Sequence, residues 1–171
     1  YKKIDELVNA MPKLLLKYPK ANLQIIGVGP ESLKLSKIIN EKKLHESVEL
    51  IGKQDKQQIS LRLSSADIYV SASRFETFSA SPLEAMASGL PVVLSEHPAH
   101  RELIERSGAG KIFPYGNASE LCMKIEETFE NKEDFSIKAK NFAMNNDWDY
   151  VTRQIIEVYQ EVFDDYNVRC D

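Results

Sequence analysis

What the chain lacks narrows its class. Cysteine occurs only twice in 171 residues, at Cys122 and Cys170, so no disulfide framework carries the fold. The start, Tyr1-Lys2-Lys3-Ile4-Asp5-Glu6, turns charged at once and has no leader-like apolar stretch. Together these features predict a cytoplasmic protein. No apolar run approaches the roughly 20 residues needed to span a bilayer. A basic excess is missing as well: 22 Lys and Arg against 26 Asp and Glu leave a formal net charge of −4. That balance argues against nucleic acid as a partner, since there is no surplus charge to neutralise phosphates. An anionic small molecule stays open, because helix N-termini and loop amides hold phosphate without net positive charge.

What is present reads as alternating elements. Apolar residues at helical spacing (Ile4, Leu7, Val8, Met11, Leu14, Leu15) predict a first helix, with Pro12 placed to kink or divide it. Five short apolar runs predict strands at about residues 22–27, 47–51, 67–71, 91–95 and 110–113. Helical segments separate them at Pro30–Lys43, Asp55–Ser65, Pro82–Ser88 and Arg101–Ser107, with Asp55 a fitting N-cap. From Asn117 onward the pattern is helical, and its last piece, about Asp147 to Tyr166, carries a stripe of Tyr150, Val151, Ile155, Val158, Tyr159 and Val162. Trp148 is expected to pin that helix to the sheet, and any exposed part of the stripe would favour self-association. Strands apolar on both faces, joined by short helical connections, predict an α/β doubly wound, mainly parallel sheet with helices on both faces. One domain over 1–171 is expected, with a core at 1–130 and C-terminal helices at 131–171. Ligands of such sheets sit outside the carboxyl ends of the strands. There the loops Gly27–Pro30, Gly52–Asp55 and Ser71–Ser81 have unusual composition.

The third loop carries the chemistry. Glu76 and Glu84 stand eight positions apart, the first after a strand and the second in the first turn of a helix. Ser79, Ala80 and Ser81 lie between them and leave the backbone open to a phosphate at the positive end of the helix dipole. A carboxylate beside such a site accepts hydrogen bonds from sugar hydroxyls. Amides for phosphate and carboxylates for hydroxyls suit a nucleotide sugar. A plainer reading is available: Ser81-Pro82-Leu83-Glu84 is a capping box in which Glu84 serves only its own helix, and Glu76 is then a solvated loop residue. Arg74 is read as a surface arginine, His45 as surface and Cys122 as core. His97 and His100 sit three apart in a loop with no further His or Cys to complete a metal site, so none is predicted.

Glu76-Thr77-Phe78-Ser79 followed by Leu83-Glu84-Ala85-Met86-Ala87-Ser88-Gly89-Leu90-Pro91-Val92-Val93 resembles the E-x7-E region of the retaining group 1 (family 4) glycosyltransferases. Asn22–Pro30, Val48–Gly52 and Ser65–Val70 resemble further strands and turns of that family, and the likeness spans residues 4 to 130. The resemblance implies the C-terminal, donor-binding half of a GT-B fold. It implies that Glu84 binds the nucleotide ribose and that Glu76, the catalytic candidate, faces the donor sugar. Phe78, Ser79 and Ala80 would line the distal phosphate and sugar. Gly52 and Lys53 would flank the base, and Gly27 and Gly29 would admit the phosphates. The implied reaction moves a sugar from a UDP- or GDP-sugar to an acceptor with retention at the anomeric carbon, with no cofactor and no obligatory metal. An acceptor-binding N-terminal domain would be the partner within the parent chain, placed in the cytoplasm or at the cytoplasmic face of a membrane.

Two departures qualify the likeness. Thr77 and Ser79 replace the motif glycines, so a residue with a Cβ must build a turn that glycine makes freely. The family's opening strand, with the Arg and Lys that neutralise the diphosphate, is expected to be missing, which would leave the fragment without turnover. Two rival readings remain: a non-catalytic nucleotide- or sugar-binding domain, and a dinucleotide-binding oxidoreductase domain resting on Gly27-Val28-Gly29, whose third glycine is replaced by Ser32.

Overall fold

A computed structural model describes residues 2–77 and 79–168; Phe78 and Cys170, named above, lie outside the described residues. The chain order is α1 (Ile4–Lys17), β1 (Leu23–Ile26), α2 (Ser32–Glu41), β2 (Val48–Gly52), α3 (Lys56–Ser65), β3 (Tyr69–Ser71), α4 (Ala80–Ala87), β4 (Val92–Ser95), α5 (Pro98–Ser107), β5 (Gly110–Phe113), α6 (Ala118–Glu130), α7 (Lys132–Met144) and α8 (Trp148–Val168). Every expected strand is present, and all named strands pair in parallel. Asp55 caps α3 as expected, in a reciprocal capping box with Gln58. Pro12 does not divide α1: Val8, Ala10, Met11 and Leu14 are buried on both sides of it and hold one continuous helix on the core. The lost hydrogen bond of a proline is outweighed there by packing.

Side-chain alternation along β4 explains the layers. Successive strand residues point to opposite faces. Val93 packs into a core with Val8, Met11 and Leu14 of α1 and Leu121 and Cys122 of α6. Val92 and Leu94 pack into a second core with Ala85 and Met86 of α4, Leu103 of α5 and Ala139 of α7. All four β4 residues are buried, as befits a strand covered on both faces and paired on both edges.

The five strands do not form one sheet. They form a two-stranded sheet, β1-β2, and a three-stranded sheet, β3-β4-β5. A cavity of about 1690 Å³ lies between them, lined by Ile25 of β1, Val70 of β3, Met11 and Leu14 of α1, and Leu121 of α6. The expectation for Trp148 also fails. It is 78% exposed, and Ile155, Val158, Tyr159 and Val162 of α8 are exposed with it, so the indole does not pin the helix to a sheet. No helix among the described residues is long and apolar enough to cross a membrane.

Candidate functional site

The glycine turns come together because β1 and β2 end side by side. The Gly27 N–H donates to the Gly52 carbonyl at 2.7 Å, closing a bridge just beyond the ladder. Gly27 and Gly52 take φ of 114° and 77°, a region that favours glycine. An added Cβ at Gly27, Gly29 or Gly52 would meet nothing within 4 Å, so open space adjoins all three. Gly27, Gly29 and Gly52 line the cavity, and so does Lys2, whereas exposed Lys53 lies just outside it.

Glu76 is positioned from the opposite side. The Ser73 hydroxyl donates to the Phe75 carbonyl at 3.1 Å and also supports the Glu76 carboxylate. Across the chain, Glu6 in the first turn of α1 pairs with Arg74 at 3.1 Å and accepts the Gly116 N–H at 3.1 Å. That link docks the start of α1 on the loop. Lys3 turns through φ 51° ahead of the helix, and Lys2 Nζ reaches Glu76 Oε1 at 2.5 Å. Burial alone would push the Glu76 carboxyl up. The hydrogen bonds from Lys2 and Ser73, with the charges of Lys2 and His100, outweigh it and hold the group below the usual carboxylate range. Lys2 thus brings a cation to Glu76. Sequence reasoning missed it because the two residues are 74 positions apart. Arg74 is exposed as expected, and its guanidinium also lies over the Tyr115 ring at 5.4 Å.

Glu84 lies on exposed surface of α4. The capping-box reading does not hold, because α4 begins at Ala80 and its N-cap is Ser79, which makes no side-chain capping bond. Glu84 is thereby released from that task. Tyr69 ties the two carboxylates to one neighbourhood. Its phenol is pushed up to about 12, first by burial and then by the charges of Glu76 and Glu84, against a hydrogen bond with Ser81. Ser79 carries the strain anticipated for the motif, at φ 60°, and Thr77 does not share the positive φ. The Ser79 hydroxyl is buried without a hydrogen-bond partner at the mouth of α4, beside Ala80. His97 and His100 are not in a loop: His97 caps α5, accepting the Ala99 N–H at 3.3 Å, and His100 lies within the helix. Cys122 is buried as expected, and burial pushes its thiol up.

The glycine turns and Lys2 thus line one cavity at the carboxyl ends of β1 and β2, and Lys2 links that cavity to Glu76; Glu76, Glu84, Ser79 and Ala80 are not among its lining residues. The description "Glycosyl transferases group 1" matches residues 1–147. The chain belongs to this family. The solved GT-B relatives confirm a Rossmann-like fold matching the C-terminal half of that architecture. TarM of S. aureus, solved with fondaparinux, α-GlcNAc-glycerol and UDP, superposes with a TM-score of 0.82 at 26% identity, over 95% of this chain and 33% of TarM. Among curated relatives of this glycosyltransferase family, the α-monoglucosyldiacylglycerol synthase of Acholeplasma laidlawii is 29% identical over 82% of this chain and 35% of its own length. A phosphatidyl-myo-inositol mannosyltransferase of Mycobacterium leprae is 27% identical over 94% of this chain and 43% of its own. The chain spans less than half the length of these relatives.

Proposed function

We propose that this chain is the donor-binding half of a retaining glycosyltransferase that takes a UDP- or GDP-sugar. The observation that carries the reading is the ion pair of Lys2 and Glu76, three residues ahead of the unpartnered Ser79 hydroxyl at the N-terminus of α4. An arriving diphosphate offers Lys2 a second anion, and it finds free amides and a hydroxyl at the positive end of the α4 dipole. Released in part from Lys2, Glu76 accepts hydrogen bonds from the hydroxyls of the donor sugar. Glu84, exposed and free of capping, accepts from the ribose. Gly27 and Gly29 give the phosphates room, and Gly52 and Lys53 flank the base. Ala80 contributes backbone to the sugar pocket. Relatives solved or described with UDP and with lipid-linked substrates support the donor class, and with it an acceptor at a membrane surface.

In this reading the open edges of β1 and β3 take one further parallel strand, which joins the two sheets in the order β2-β1-strand-β3-β4-β5 and supports the diphosphate. An N-terminal domain of the parent protein brings the acceptor. The fragment alone is then a weak binder without turnover. Calorimetric titration of the purified chain with UDP and GDP tests this. Binding weaker than about 1 μM is expected, with Lys2→Ala and Glu84→Ala each lowering it at least about tenfold. Glu76→Ala should leave nucleotide binding and remove the added affinity of the sugar. Equal effects of Glu84→Ala and Glu76→Ala on UDP and UDP-sugar, or turnover by the chain alone, would overturn the assignment.

A further inference from the structure

His100 is fully buried, although its ring carries two polar nitrogens. Nδ1 lies 2.8 Å from the Ser95 carbonyl. A carbonyl only accepts, so Nδ1 carries the proton and Nε2 holds a bare lone pair. Nε2 has no hydrogen-bond partner, a costly state for a buried nitrogen. An apolar residue of similar size would avoid that cost, so packing does not account for the histidine.

A buried path leads from this ring to Glu76. Ser95 gives its carbonyl to His100, and its hydroxyl donates to the Ser73 carbonyl at 2.6 Å. The Tyr115 hydroxyl donates to the same carbonyl at 3.3 Å. Ser73 in turn donates to the Phe75 carbonyl, which belongs to the peptide bond that leads into Glu76. Ser73, Ser95 and His100 are each 0% exposed, so water does not compete for these bonds. The His97 ring packs edge-on against His100 at 5.9 Å and against Phe75 at 6.3 Å, closing the other side.

We propose that His100 is a positioning residue for Glu76: through Ser95 and Ser73 it fixes the turn that carries the carboxylate, and its charge state is coupled to that carboxylate. This rests on the reading of Glu76 as the group that meets the donor sugar; His100 itself touches no donor. Three groups act on the ring's charge. Glu76 favours the imidazolium, while His97 and Lys2 oppose it. Burial outweighs the Ser95 carbonyl and Glu76, holding His100 below the ordinary histidine range. Glu76 therefore works beside a neutral ring at neutral pH, with Lys2 as its cation.

Histidine and glutamate side chains labelled with ¹³C, followed by NMR through a pH titration of the chain, provide the test. His100 should show the Nδ1–H tautomer and a midpoint below 6.5. Glu76→Gln should lower that midpoint by a further half unit or more, roughly, since it removes the charge that favours the imidazolium. His100→Phe should raise the Glu76 midpoint toward the ordinary carboxylate value. His100→Asn keeps an N–H for the Ser95 carbonyl but carries no charge, so it should restore the part of the Glu76 midpoint that the hydrogen-bonded path supplies. Should His100→Phe fail to fold, Ser95→Ala breaks the same path with the ring in place, and the Glu76 midpoint must again rise. An Nε2–H tautomer, or a Glu76 midpoint indifferent to these changes, would reduce His100 to a core residue. None of these titrations contains a donor. Failure of the wild-type chain to bind UDP or GDP would thus sink the donor-site reading separately.

Discussion

The two sheets differ in how much of their backbone geometry is forced. In β3-β4-β5, β4 is wholly buried and its neighbours approach closely: a Cβ on Gly110 would stand 1.8 Å from the Val92 carbonyl oxygen. In β1-β2, the glycines at the strand ends face open space, and among the described residues β1 keeps one edge unpaired. Glycine thus does two different jobs in one domain. Gly110 lets strands pack, while Gly29 leaves room. The contrast separates residues that hold the site from residues that leave space for what enters it.

Gly110→Ala should break this comparison most visibly. The clash is with backbone, which cannot swing aside as a side chain does, so a loss of more than about 3 kcal/mol is expected. Urea denaturation would measure it, and a midpoint within error of wild type would mean that β5 tolerates displacement from β4. Ser79→Gly should act in the other direction. It relieves a left-handed conformation that costs a residue with a Cβ roughly 1 kcal/mol, so the thermal midpoint should rise by a few degrees. The variant also deletes the buried hydroxyl, so donor affinity should fall while stability rises. Gly29→Ala should be nearly silent in folding, within about 0.5 kcal/mol, because its φ is ordinary and the added methyl meets nothing. If phosphates approach there, the same change should nonetheless weaken UDP binding. Equal silence in both assays would remove Gly29 from the site.

Acid pH sharpens the same division. Protons bind His100 less readily in the folded chain than in the unfolded one. Stability should therefore decline as pH falls through the ordinary histidine value of 6.5, and level off below the folded one. Glu76 acts lower on the scale: its folded value is depressed, so its contribution is present above the ordinary carboxylate value and lost as pH falls through the folded one. His100→Asn should flatten the upper slope and reduce the lower only by what the His100 charge contributes. Both terms arise beside β3-β4-β5; the cleft glycines contribute neither.

Much of this was legible in the linear pattern. Short apolar runs bounded by turn residues are local signals, so the five strands, their parallel pairing and the Asp55 cap followed from spacing. The Glu76 and Glu84 pair was legible through its motif. Other features depend on groups far apart in sequence. Lys2 reaches Glu76 only because Glu6 anchors α1 to Arg74 and Gly116. The start of α4 at Ala80, with Ser79 strained and Glu84 uncapped, reverses a local capping preference. Trp148 was expected against the sheet and is exposed, and the apolar stripe of α8 is exposed with it.

The sequence by itself determined the order and type of elements, since hydrophobic period and turn chemistry act over a few residues. It also determined which residues have the chemistry for phosphate and hydroxyl. Only the tertiary structure decided that the strands divide into two sheets, that a lysine from the first helix faces Glu76, and that a buried histidine braces the turn behind it. Charge pairs, buried hydrogen bonds and strand edges are set by distance in space, and a chain 171 residues long does not write those distances into any local window.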